Sequence, residues 1–379
     1  MAPMAWTRRA LEDYRSRVRG CLLGGAVGDA LGAPVEFLAL DEIEQRCGPA
    51  GVREYLPAAP DDQRYGLVTD DTQMTLFTAE GLIRAGVRTD RGIGFTVAVV
   101  HAAYDRWLDT QLLPGPSGPV SGWLAGQSWL YARRAPGTTC MNALQDARDG
   151  GTRIARYGTP AVNHSKGCGT VMRSAPFGLM APGTWPDEQV FAMAAEAAAY
   201  THGHPTGTLA AGTLAVIVAR LVAGDDLDAA LDAAAAELSQ HQAHDETSRA
   251  LEAARHAART APVTPAVLEA LGGGWTAHEA LAIAVCAAAA EPEPERFGDA
   301  LALSVTHGGD SDSTGSICGN ILGAWHGETA LPPALAFEVE GRGTILELAD
   351  DLVWEFTRAR ELHGDHGPDT RWRVRYPGG

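Results

Sequence analysis

The chain has 379 residues, 45% of them hydrophobic, and a formal net charge of −17. That is enough apolar material for a large core, and the acidic balance disfavours nucleic-acid backbones as partners. An anionic substrate would have to meet a local positive centre, which bound metal ions can supply.

The six cysteines (Cys21, Cys47, Cys140, Cys168, Cys286, Cys318) are scattered, with no CxxC pair to suggest zinc or thioredoxin-like chemistry. Near the N-terminus there is no apolar core of signal-peptide length, and no run of ~18 apolar residues appears. These features predict a cytoplasmic protein with reduced thiols and no membrane association.

The first distinctive segment is GCLLGGAVGDALGAPVEF, residues 20–37. Gly24, Gly25, Gly28 and Gly32 fit close helix packing as well as close approach of a ligand. A dinucleotide-binding reading fails, because no βαβ pattern surrounds them. Asp29 and Glu36 are the chemical candidates here, although a lone acid near a helix end is commonly a cap.

Next comes VTDDTQMTLFTAEGL. Met74, Phe77, Thr78, Gly81 and Leu82 recur at helical spacing, which predicts a helix over Asp71–Ala85. Thr69 is a good N-cap, and Asp70 and Asp71 fall in the first turn. The β-branched stretch Thr96–Val100 sits inside another helical window, and convincing alternating strands are absent. The segment Trp107–Gly137, rich in Trp, Gly and Pro, is a candidate wall for a leaving-group pocket.

The segment NHSKGCGTVMRSAPFGL carries the only lysine of the chain, Lys166. Gly167 and Gly169 would gather backbone N–H groups before a helix start, an arrangement that suits phosphate or carboxylate. It lacks the trailing GK[ST] of a P-loop. Arg173 is either a diphosphate contact or a buried ion-pair partner. Helical patterns follow over Asp187–Tyr200, Gly207–Ala223, Ala243–Ala258, Ala277–Ala290 and Thr344–Arg360. Between the first two, THGHPTG places His202 and His204 at a loop, as structural residues or as pocket lining. Zinc is discounted, because neither HExxH nor a cysteine partner accompanies them.

The last motif is THGGDSDSTGSICGNILGAWHG. Gly308 and Gly309 interrupt the preceding apolar segment, and Asp310, Asp312 and Ser313 open a helix. Gly315, Gly319 and Gly323 give that helix a smooth face for packing. Gly and Pro clusters at Ala181–Pro186, Gly272–Gly274 and Glu291–Pro294 separate helices without forming a long linker. No period of roughly 30–50 residues repeats, so a solenoid is excluded. Residues 8–360 read as one helical domain, and 361–379 as a loosely held polar tail.

Capping accounts for each acidic pair taken alone. Together, four aspartates with neighbouring hydroxyls on two helix starts also make an oxygen-rich set that would repel itself without a cation. Such hard ligands select Mg²⁺ or Mn²⁺ over zinc, and two ions would suit hydrolysis.

The order GGAVGDALGAPVEF, TDDT, SKGCGTVMRSAP, THGHP and GGDSDSTG resembles the ADP-ribosylglycohydrolase family. That family includes the enzyme that reactivates dinitrogenase reductase. It also includes hydrolases that remove ADP-ribose from arginine or serine. The resemblance spans about Gly20 to Asp351. It implies an all-α, single-domain orthogonal helical bundle with a binuclear metal cleft holding two Mg²⁺ or Mn²⁺. The matching ligands are Thr69, Asp70, Asp71, Asp310, Asp312 and Ser313, where the family often has Thr at the last position. Glu36, Asp70 and Asp310 are the candidate catalytic acids. The loop residues Lys166, Gly167, Cys168, Gly169, Met172 and Arg173, with His202, would bind ADP-ribose.

The implied activity is hydrolysis of the N- or O-glycosidic bond between ADP-ribose and a modified acceptor, protein arginine or serine foremost, releasing ADP-ribose. An ADP-ribosylated small molecule or nucleic acid is the alternative substrate. A non-catalytic ADP-ribose-binding homologue is the alternative class. Retention of all four aspartates and Glu36 favours catalysis.

Overall fold

The computed structural model describes residues 6–57, 62–118, 121–150, 157–260, 262–363 and 371–377. Among them no β-strand forms, and helices account for the regular structure. In chain order these are α1 (Arg8–Gly32), α2 (Leu40–Cys47), α3 (Asp70–Asp90), α4 (Ala98–Leu112) and α5 (Thr138–Asp149). Then come α6 (Asp187–Ala199), α7 (Pro205–Ala223), α8 (Leu227–Leu238), α9 (Asp245–Thr260), α10 (Pro265–Glu269) and α11 (Ala277–Ala290). The chain ends with α12 (Phe297–Val305), α13 (Ser311–His326), α14 (Pro333–Glu338), α15 (Arg342–His363) and α16 (Arg371–Arg375). The helices expected from periodicity all form; most ends move by no more than three residues, and α3 runs five residues beyond the expected Ala85, to Asp90.

The centre of the fold is made by helices that are buried on nearly every face. In α1 every residue from Gly20 to Gly32 is buried, as is every residue of α3 from Asp70 to Val87 and of α13 from Ser311 to Ala324. Such helices have no solvent side to mark their orientation, so their packing is set by shape. Shape here means glycine. A Cβ on Gly20 would lie 2.5 Å from the Gly323 carbonyl oxygen, and one on Gly24 would lie 2.5 Å from that of Gly319. The series continues at Gly28 against Gly315 (2.0 Å) and Gly32 against Ser311 (2.2 Å). The two helices therefore run antiparallel with backbones in contact. Beside this seam Asn320 fills the space over Gly25 and donates to the Cys21 carbonyl at 2.8 Å. The glycines of the first motif serve packing, and the end of α1 is held against the start of α13.

α7 is long and apolar enough to cross a membrane by length and composition, which a search for an unbroken apolar run misses because Thr, Gly and Arg interrupt it. Of its most apolar window, 78% is buried inside the protein, as in a core helix.

The C-terminal residues differ from the expected loose tail. α15 continues to His363, and α16 returns to the body. Tyr376 is completely buried and Trp372 packs against the core. Trp372 Nε1 donates to Glu355 at 2.9 Å, and Arg375 pairs with Asp351 at 2.8 Å. Two aromatic rings four residues apart supply apolar area that the surrounding polar and glycine residues obscure. Residues 364–370 and 378–379 of that segment lie outside the described residues.

Candidate active site: an acidic cleft between three helix ends

Asp29, inside α1, is fully buried and anchors the first acidic motif. Its carboxylate accepts from the backbone N–H of Thr69 (3.0 Å) and Thr72 (3.1 Å), and from the hydroxyls of Thr69 (2.9 Å) and Thr72. A carboxylate on these N–H groups complements the positive end of α3. Thr69 also caps α3 by accepting from the Asp71 N–H at 3.3 Å. Capping by Asp29 and Thr69 leaves Asp70 and Asp71 free of that duty. Asp70 instead accepts from the Gly137 N–H at 3.2 Å, which ties the start of α5 to the cleft. Asp71 keeps a buried oxygen, Oδ2, with no hydrogen-bond partner.

The second motif arrives along the glycine seam. Asp310 caps α13 by accepting from the Ser313 N–H at 3.3 Å, and its own N–H donates to the Gly273 carbonyl at 2.9 Å. Asp312 Oδ1 accepts from the same Ser313 N–H at 2.9 Å. Beyond the end of α1, the chain turns through residues 33–37 and delivers Glu36 to the same place. Glu36, Asp310 and Asp312 offer carboxylate oxygens that all lie within 4.8 Å of one another.

The electrostatics follow from that crowding. Burial, reinforced by the charges of Asp310, Asp70 and Asp29, pushes Glu36 up to about 8. Burial raises Asp70 to about 7 against the opposing Gly137 hydrogen bond, and Asp29 to about 6 against its four donors. Asp71 and Asp312 are also held well above the usual carboxylate range, by burial first and then by neighbouring carboxylates. The charges acting most strongly on Asp312 are those of Asp71, Asp310, Glu36 and Asp29, all of the same sign. An orphaned buried oxygen within an all-carboxylate set fits a hard divalent cation.

The Gly-rich loop forms one side of this cleft. Cys168 to Arg173 make a 3-10 turn. The Cys168 thiol donates to Asp310 Oδ2 at 2.7 Å, so this side chain faces the acidic cluster. The Cys168 N–H is committed to the Trp275 carbonyl at 3.1 Å and is therefore not part of an anion nest. Neither Gly167 nor Gly169 has a positive φ. Their lack of a side chain answers to close approach: a Cβ would meet His202 Nε2 at 3.2 Å over Gly167, and the Cys140 sulfur at 2.9 Å over Gly169. Lys166 is drawn to Glu246 on α9 at 2.5 Å.

Arg173 is 1% exposed, and its hydrogen bonds run to backbone carbonyls, sulfur atoms and a hydroxyl. It donates to the Gly169 carbonyl (2.6 Å) and to Thr201 (2.6 Å), and stacks over Tyr104. It braces the loop from within, which differs from both expected roles. His202 is buried, accepts or donates at Thr201 (2.8 Å), and is kept neutral, its pKa lowered to about 3 by burial and by the Arg173 charge. Met172 is buried, and its carbonyl accepts from Thr75 on α3 at 3.1 Å. Ser313 is buried with its hydroxyl 4.0 Å from the Met172 sulfur.

The structure thus brings Thr69, Asp70, Asp71, Asp310, Asp312, Ser313, Glu36 and Cys168 to one place, and sets Arg173 behind it. Of the Trp107–Gly137 segment, Gly137 reaches the cleft, while Trp107 is fully buried and donates to Gln73 at 3.1 Å. Residues 119–120 of that segment lie outside the described residues.

The chain matches the ADP-ribosylglycohydrolase family over residues 10–361. It belongs to that family. It is 27% identical over 321 residues to the ADP-ribosyl-[dinitrogen reductase] glycohydrolase of Rhodospirillum rubrum, covering 84% of this chain and 89% of the relative. It is 24% identical over 348 residues to the ADP-ribosylarginine hydrolase of Serratia proteamaculans, covering 90% and 80% respectively. A solved structure described as an ADP-ribosylglycohydrolase-related protein complex superimposes with a TM-score of 0.66 at 26% identity, over 91% of this chain and 99% of that one. As an ADP-ribosylglycohydrolase family member, this protein is a glycohydrolase acting on ADP-ribosyl adducts.

Three residues of consequence carry weak signals in the sequence. Asp29 shows itself only as an acid within an apolar glycine stretch. Gly137 precedes the pair Thr138–Thr139, a modest helix-start pattern. Trp275 follows three glycines, which mark a turn and nothing more.

Proposed function

We propose that the protein hydrolyses the glycosidic bond between ADP-ribose and a protein arginine or serine, with two Mg²⁺ or Mn²⁺ bound at the cleft. The supporting observation is the oxygen cluster of Glu36, Asp310 and Asp312, with the unpartnered Asp71 oxygen beside it at the adjoining helix start. Thr69, Asp70 and Asp71 would hold the ions from α3, and Asp310, Asp312 and Ser313 from α13. Bound divalent cations would orient ribose hydroxyls and polarise water.

The chain's own groups then divide the work. Asp29 and Thr69 position the first acidic pair through their hydrogen bonds. Glu36 is only half-buried beside Asp310 and Asp312, where its carboxyl can exchange a proton with a bound substrate or water. Hydrolysis adds the water's hydroxyl to the anomeric carbon and a proton to the departing nitrogen or oxygen. Glu36 is placed to handle that proton. A cleft of about 510 Å³ opens between α5 and residues 159–165, lined by Thr139, Asn142, Asn163, Ser165 and Tyr200, and can take the body of ADP-ribose. Ser165 and Thr139 meet there at 3.2 Å, next to the Gly-rich loop.

Product analysis tests this proposal. With Mg²⁺ or Mn²⁺, ADP-ribosyl-arginine or ADP-ribosyl-serine peptides should release free ADP-ribose, and Asp310→Asn should abolish release. No ADP-ribose from any ADP-ribosylated peptide, under either metal, would overturn it.

A further inference from the structure

Phe37 and Trp275 form an exposed stacked pair at the rim of the acidic cleft. Their rings are 5.2 Å apart at 26°. Phe37 is 68% exposed and Trp275 43% exposed, so neither is held by the core. Phe37 also has φ +69°, a left-handed conformation that costs a side chain of this size and that glycine would adopt more easily. A ring so exposed recovers little of that cost through burial, which points to use rather than to packing.

Both residues are fixed to the cluster through the backbone. Phe37 directly follows Glu36. Trp275 follows Gly274, where a Cβ would sit 3.2 Å from that of Asp310. The Gly273 carbonyl accepts the Asp310 N–H, and the Trp275 carbonyl accepts the Cys168 N–H. The backbone therefore ties the pair to Glu36, Asp310 and Cys168, which line the cleft.

We propose that Phe37 and Trp275 read the leaving group, and that they favour a planar cation, a guanidinium, over an alcohol. This rests on the glycohydrolase function proposed above. A guanidinium is flat and weakly hydrated, and it stacks on aromatic faces. A serine side chain has neither a π-face nor a charge to use there. A nucleobase could also stack, but it is neutral and gains no cation–π attraction.

The test compares kcat and KM for ADP-ribosyl-arginine, ADP-ribosyl-serine and ADP-ribosyl-thymidine substrates in the metal-loaded wild type, Phe37→Ala, Trp275→Ala and Trp275→Phe. The arginine-to-serine ratio of kcat/KM should fall about tenfold in each alanine variant, through KM, as expected for loss of a cation–π contact. Trp275→Phe should recover most of it. Calorimetry with ADP-ribose, which lacks the acceptor, should give the wild-type Kd and so show that the site still assembles. An unchanged ratio in both alanine variants would overturn the proposal, as would wild-type preference for serine or thymidine substrates. A wild type that releases ADP-ribose from none of the three would overturn the glycohydrolase function itself, and the platform with it.

Discussion

Replacing Gly28 with alanine tests how the acidic cleft is built. The new Cβ would lie 2.0 Å from the Gly315 carbonyl oxygen and 2.3 Å from its carbon, both backbone atoms that no rotamer change can move. Ordinary contact begins near 3.4 Å, so α1 and α13 must part by about 1.4 Å. Overpacking of this kind costs about 2–3 kcal/mol. Unfolding entropy scales with chain length, so for a protein of this size the melting temperature should fall by about 3 °C. The same displacement moves the end of α1, and Glu36 beyond it, away from Asp310 and Asp312. A misplacement near 1 Å costs about 10²-fold in rate, so kcat/KM on an ADP-ribosylated peptide should fall by that order. Gly20→Ala is the comparison within the same seam. Its Cβ would meet the Gly323 oxygen at 2.5 Å, but it lies about 12 Å further from the cleft along α1. It should lose comparable stability and far less activity. Gly343→Ala, in open space on α15, should gain about 0.5–1 kcal/mol through helix propensity. If Gly28→Ala melts with the wild type, the backbone contact is not as close as described. If it melts lower and retains full kcat/KM, helix spacing does not position Glu36.

Exhaustive chelation should abolish release of ADP-ribose, and Mg²⁺ or Mn²⁺ should restore it; full activity in chelated protein would refute metal dependence. Metal-free protein should lose stability as pH rises from about 5 to about 8. The folded state raises Asp29, Asp70 and Glu36 to about 6, 7 and 8, so folding retains protons that the unfolded chain has released, and that stability disappears as each group ionises. Melting curves across this range, with and without saturating Mg²⁺, should show a slope that the metal flattens. Gly169→Val should destabilise by about 1–3 kcal/mol, because its Cβ would lie 2.9 Å from the Cys140 sulfur and 3.2 Å from the His202 ring. A folded variant with wild-type melting and selectively lost ADP-ribose affinity would contradict that account.

Much of this protein is legible in the sequence because the relevant signals are local. Apolar spacing over Asp71–Ala85 or Ala277–Ala290 reports a helix whatever its neighbours are. Thr69–Asp71 and Asp310–Ser313 mark helix starts through their own side chains, and the order of TDDT and GGDSDSTG along the chain specifies a family. What they touch is a different matter. Gly28 meets Gly315, and Asp29 meets Thr69 and Thr72, across stretches of chain that no local pattern spans. Arg173 could have faced a diphosphate or the interior, and only the placement of Thr201, Tyr104 and Gly169 turned it inward. Cys168 reached Asp310 because its N–H is held by Trp275. Trp372 and Tyr376 look like scattered aromatics in a polar tail until α15 offers Glu355 and Asp351 to receive them. Sequence by itself determined which helices form and which oxygens are available for a cation. Tertiary structure decided which of those oxygens converge and which cationic or aromatic groups face them, because burial and close approach depend on the whole chain.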